Sequence, residues 1–161
     1  MKTIALIIAI CIFIGSPVLA YKWVPFSDLD SLMERSEFIV LARIASLGQD
    51  KDENGHHYRN GLVRYEIIIV HNVRGSLPLD RHPVILQSNF IRKYHNFRPG
   101  GMALLFLTGQ SSIGGRKVLM NWSNSGSIMP ASPELDVNKL KGLSEKQQVL
   151  FTVKDYVKFK K

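Results

Sequence analysis

Cysteine is almost missing from this 161-residue sequence: Cys11 is the single one. It lies in an apolar N-terminal stretch with the layout of a secretory leader. Lys2 gives the first residues a positive charge, and Ile4 to Ile14 is an apolar run. Gly15, Ser16 and Pro17 break any helix, and Val18-Leu19-Ala20 places small residues at the −3 and −1 positions of a cleavage site. The run falls short of the ~20 apolar residues a membrane span needs. Cys11 sits inside the run rather than after a small-residue site, which argues against a lipoprotein. Residues 1–20 are therefore expected to be a signal peptide, and residues 21–161 a single domain. Cleavage at Ala20 would remove the only thiol. Disulfides, thiol catalysis and cysteine-ligated metal would then all be excluded, and the core alone would hold the domain.

Catalytic and metal-site spacings are also missing. The five histidines are His56, His57, His71, His82 and His95, and no H-E-x-x-H or H-x-H occurs among them. His56 and His57 sit beside Asp50, Asp52 and Glu53 in a polar stretch that reads as a solvated loop. No G-x-S-x-G is present, and the acids are scattered singly. Gly100-Gly101 and Gly114-Gly115 lack the strand–loop–helix context of a phosphate site. No catalytic residue, metal ligand or cofactor site is assigned, and the chain is expected not to be an enzyme.

What the chain has in excess is positive charge, with 21 Lys and Arg against 13 Asp and Glu and a net charge of +8. Loss of the leader removes Lys2 and lowers that by one. Such a surface favours anionic partners: lipid headgroups, acidic polysaccharide, acidic protein or nucleic acid.

Hydrophobic patterning predicts a short helix from Phe26 to Glu34, with Ser27 as its cap and Leu29, Leu32 and Met33 as its apolar stripe. Strand patterns follow. Phe38 to Leu47 puts Phe38, Val40, Ala42 and Ile44 on one face and Ile39, Leu41 and Arg43 on the other. Leu62 to Val73 puts Val63, Tyr65, Ile67 and Ile69 on one face and Arg64, Glu66 and Ile68 on the other. His71 falls in phase with the first set and is expected to mark a β-bulge. Shorter strands are expected at Val84–Gln87, Met102–Leu107 and Arg116–Asn121. Met102–Leu107 is apolar on both faces, as a central strand would be. Ser, Gly and Pro then make a loop. A last amphipathic helix, Glu145 to Lys158, has capping-box spacing at Ser144 and Gln147 and an inner stripe of Val149, Leu150, Val153, Tyr156 and Val157. Phe151 lies off that stripe. The expected fold is mainly β: a small five-stranded barrel with the two helices packed against its openings, with a β-sandwich as the alternative.

Three stretches carry a family resemblance: Ser31–Leu47, Val63–Pro78 and Phe97–Thr108. They resemble exported bacterial proteins whose domain is similar to the netrin-like and metalloproteinase-inhibitor (TIMP) OB fold, over Phe26 to Leu119. The resemblance implies an OB-like barrel in the periplasm or outside the cell. Inhibitors of that type bind the protease zinc through the amine and carbonyl of an N-terminal cysteine. Tyr21 stands at the expected mature terminus here, so the chelating residue differs.

One segment combines aromatic and basic residues. Phe90, Tyr94 and Phe97 alternate with Arg92, Lys93 and Arg98, and Trp122 is a further candidate aromatic. Rings that stack and cations that meet anionic groups suit a ligand surface on an OB-like barrel. Trp122 also lies in the glycosylation sequon Asn121-Trp122-Ser123, which matters only in a eukaryotic host. The functional expectation is an exported, non-catalytic binding module with an anionic or protein partner, and nucleic acid ranks last among partners. A secreted protease-regulating protein is the alternative, and a small hydrolase ranks third.

Overall fold

Alternation decides where β1 (Phe38–Ile44) sits, because its two faces enter two different cores. The computed structural model describes residues 26–51, 54–56, 62–87, 98–113, 116–120 and 128–159. The elements are α1 (Phe26–Arg35), β1, β2 (Leu62–Arg74), β3 (Arg81–Gln87), β4 (Met102–Ile113), β5 (Arg116–Met120), β6 (Ile128–Ala131), a short 3-10 helix (Val137–Leu140) and α2 (Glu145–Phe159). Among the described residues the fold is mainly β with two α-helices. Among the described residues, no helix is long and apolar enough to cross a membrane.

The six strands of the described residues belong to one sheet, which sets aside the two-sheet sandwich. β1 is antiparallel to β2 along one edge and to β4 along the other. β2 pairs with β3, and β3 runs parallel to β5. β5 is antiparallel to the far half of β4, while β6 pairs with its near half. The pairings thus run β1-β2-β3-β5-β4, and β4 is paired again with β1. Among the described residues the five expected strands are all present, and a sixth joins them. The sixth, Ile128–Ala131, lies in the stretch read as a loop, because Pro130 and the flanking polar residues hide its strand pattern.

The first core holds Val40, Ala42 and Ile44 of β1 with Tyr65, Ile67 and Ile69 of β2. Val84 and Leu86 of β3 and Ala103, Leu105 and Leu107 of β4 join it. The second core lies across the opposite face of β1 and β4. Ile39, Leu41, Met102, Leu104 and Phe106 there meet Leu29 and Met33 of α1, Leu140 of the 3-10 helix and Val149 of α2. Each fully buried aliphatic side chain contributes roughly 1.5–3 kcal/mol, which is why β4 is apolar on both faces. The helices therefore cover the outer face of the β1–β4 ladder rather than the ends of the sheet. That corrects their expected position.

Helix boundaries follow the pattern with small shifts. α1 already begins at Phe26, so Ser27 falls within its first turn rather than at its cap. The capping box of α2 is formed: the Ser144 N–H donates to Gln147 Oε1 at 2.9 Å, and the Gln147 N–H donates to Ser144 Oγ at 3.4 Å. Val149 and Thr152 are its fully buried positions, whereas Val157 is exposed and leaves the expected stripe. Phe151 packs partly against the second core.

Candidate functional site

β2 carries two bulges, and these aim its polar side chains. Leu41 pairs with His71 while Ala42 pairs with Ile69, so Val70 is an extra residue. Ile39 pairs with Arg74 while Val40 pairs with Asn72, so Val73 is another. A bulge resets the side-chain phase and bends the strand. His71 accordingly turns to the outer face, where its Nε2 lies 2.7 Å from Gln148 Oε1 of α2. The Gln148 amide donates in turn to the Leu143 carbonyl at 2.8 Å. His71 is thus at a bulge, as its sequence position implies, and it ties α2 to the sheet.

Arg74 follows three residues later and binds three partners. Its Nε and Nη2 donate to Glu145 Oε2 at 2.8 and 2.6 Å. Its Nη1 donates to the carbonyls of Met33 and of Ser36, at the C-terminal end of α1. Cations there complement the negative end of the helix dipole. Lys146 adds an ion pair to Asp30, 2.7 Å between Nζ and Oδ1. The polar residues of this region therefore hold the two helices on the sheet.

His82 accounts for another candidate. Its Nε2 lies 2.9 Å from the Pro78 carbonyl. Through these bonds neither His71 nor His82 engages an acid or a serine, as a hydrolase arrangement requires. Among the described residues, no three His, Cys, Asp or Glu side chains group as metal ligands. A shallow depression of about 310 Å³ is lined by Ser132, Glu134, Asp155, Lys158 and Phe159. It mixes both charge signs, and its one buried polar side chain, Ser132, is occupied in accepting the Glu134 N–H at 3.2 Å.

Of the aromatic-basic surface, Phe90, Arg92, Lys93, Tyr94 and Phe97 lie outside the described residues, as does Trp122. Arg98 is described and exposed. Its carbonyl accepts the Gly101 N–H at 2.8 Å, in a turn where Gly100 has φ +87°. The Gly100 N–H donates to the Ile44 carbonyl, and the Ile44 N–H to the Gly101 carbonyl, both at 2.9 Å. That segment therefore enters β4 fastened to the end of β1.

The outer face of the sheet has a second region, past the edge of the helical cover. Arg43 pairs with Met102 on the covered side and with Ile68 on the open side. Ile68 pairs with Arg81 of β3. Directly paired residues share a face, so Arg43, Ile68 and Arg81 form one row across three strands. Both arginines are exposed and Ile68 is half-buried. Along the same face, Arg64 Nη2 holds Glu66 Oε1 at 2.7 Å. Sequence alternation places Arg43 on this face, but nothing local relates it to Arg81.

The chain matches no protein-family model and no curated protein sequence.

Proposed function

We propose that this protein is an exported, non-catalytic binding module of the cell envelope or secreted space, built on an OB-like five-stranded barrel. The barrel reading is supported by the order of pairings, which runs from β1 through β2, β3, β5 and β4 back to β1 with one parallel pair, β3–β5. β6 is an addition along β4, and the helices are a cover on one side. Export is supported by the leader pattern of residues 1–20.

The observation that carries the binding reading is the structural use made of the polar groups on the helix-covered face. His71, Arg74 and Glu145 are committed to fastening α2 and α1. Contacts with a partner are then left to the loops between strands and to the uncovered part of the sheet. Capture of partners from native envelope extract on the immobilised full-length mature protein tests this reading. Binding is expected with the wild type and is expected to fall in a Phe90→Ala, Tyr94→Ala, Phe97→Ala triple variant. Unchanged capture by a folded triple variant would remove the aromatic segment as the contact surface, and a wild type that captures nothing would remove the module reading itself.

A further inference from the structure

We propose that the Arg43–Ile68–Arg81 row is a binding site for an acidic polysaccharide, with the two guanidinium groups taking carboxylates of successive repeats. The inference rests on the binding-module reading and names a ligand class and a surface for it.

The geometry comes from register. Arg43 and Arg81 are each paired to Ile68 from opposite sides. Their Cα atoms are two strand spacings apart, about 10 Å. Both side chains are exposed, and among the described residues neither guanidinium is hydrogen-bonded or ion-paired. The nearby acids are otherwise engaged. Glu66 holds Arg64, and Asp80 Oδ1 accepts the backbone N–H of Arg81 at 2.6 Å. By contrast Arg74, the arginine of the covered face, is saturated by Glu145 and helix carbonyls. The two guanidinium groups are planar forks, each able to take a carboxylate through two parallel hydrogen bonds, and a half-buried Ile68 lies between their strands.

The chemistry of the face favours a polysaccharide over the other polyanions. The exposed large apolar side chains, Leu47, Leu79, Val157 and Phe159, lie in connections or at the end of α2, outside the row. Ile68, the one apolar side chain of the row, is half-buried, so the row lacks the exposed large apolar side chains that enter an acyl layer in interfacial membrane binding. The described residues of the row include no aromatic platform on which nucleobases would stack. A chain carrying one carboxylate per sugar or disaccharide needs only spaced cations and a flat apolar floor. The positive balance of the whole chain would speed its approach.

Binding of the mature protein to polygalacturonate at low salt, measured by calorimetry, tests the proposal. Arg43→Gln/Arg81→Gln is expected to weaken binding by about tenfold or more, equivalent to about 1.4 kcal/mol. Lys154→Gln/Lys158→Gln removes the same charge from exposed positions on α2 and is expected to weaken it by less than about threefold. Arg43→Lys/Arg81→Lys keeps the charge but loses the planar fork. It is expected to fall between them, and it keeps the test valid should the glutamine variant fail to fold. Equal losses in the two glutamine variants would overturn the proposal in favour of overall charge. So would a wild type that ignores polygalacturonate, or one that binds duplex DNA or phosphatidylglycerol vesicles as tightly. None of those outcomes touches envelope capture or its dependence on the aromatic segment, so the two readings fail separately.

Discussion

Arg74 reaches Glu145 across 71 residues of sequence and donates to its Oε2 from both Nε and Nη2, while the same guanidinium binds the carbonyls that end α1. One side chain on a bulged strand end thereby joins the last turn of one helix to the first turn of the other. The two helices and the sheet share this single cation.

Removing Arg74 is expected to cost more than removing its acid. Arg74→Ala leaves the Met33 and Ser36 carbonyls without their charged donor, for a loss of about 2 kcal/mol. Glu145 is more exposed than Arg74, so Glu145→Gln is expected to cost no more than about 1 kcal/mol. Urea denaturation of the two variants and their double mutant measures both values. Equal costs would show that the helix-end carbonyls contribute nothing.

Leu105 and Phe106 are neighbours in β4 that enter opposite cores. Leu105→Ala is expected to destabilise by about 2–5 kcal/mol and Phe106→Ala by about 3–5 kcal/mol. A strand with one solvent-facing side would tolerate one of the two. Thermal unfolding of each variant distinguishes these cases, and a change within about 0.5 kcal/mol for either would contradict two-sided burial.

Gly75 and Gly142 separate backbone strain from collision. Both have positive φ, +75° and +79°. A Cβ at Gly75 would lie 2.5 Å from Phe38 Cδ1, whereas at Gly142 it would meet nothing within 4 Å. Alanine at Gly142 is expected to cost about 1–2 kcal/mol from the left-handed backbone alone. Alanine at Gly75 is expected to cost that plus the displacement of the Phe38 ring, so its unfolding midpoint should be the lower of the two.

The proposal that residues 1–20 are a cleaved leader makes its own prediction. Intact-mass measurement on protein recovered after export by a bacterial host is expected to give a chain that begins at Tyr21. A chain that retains Cys11 would contradict cleavage, and it would restore a thiol to the mature protein.

Much of the strand arrangement is legible in the residues themselves. Phe38–Ile44 and Val63–Ile69 alternate, and their two sets separate into inward and outward faces as the alternation implies. Met102–Leu107 is apolar throughout and is buried on both sides. The far half of β4 is not legible, because Gly109-Gln110-Ser111-Ser112 lacks strand-forming side chains. Pairing with β5 makes it a strand. β6 is hidden for a related reason: Pro130 reads against a strand, yet a segment at the sheet margin accommodates a residue without an N–H. Helix amphipathicity gives Val149 and Leu150 of the inner face of α2 but not Phe151 or Thr152, and not the surface the helix meets. Placing α2 over the ladder depends on Val149, His71 and Arg74 together.

The sequence by itself determined the periodicities, the positive balance, the leader pattern with its lone cysteine, and the break in phase at His71. These are local properties, set by side chains within a few residues of one another. The tertiary structure decided which strand edges meet, that the helices cover only one side of the sheet, and that Arg43 and Arg81 share a row through Ile68. Those depend on pairings between distant segments. A local pattern fixes which face a residue occupies, but the partner across the ladder is chosen by the topology of the whole chain.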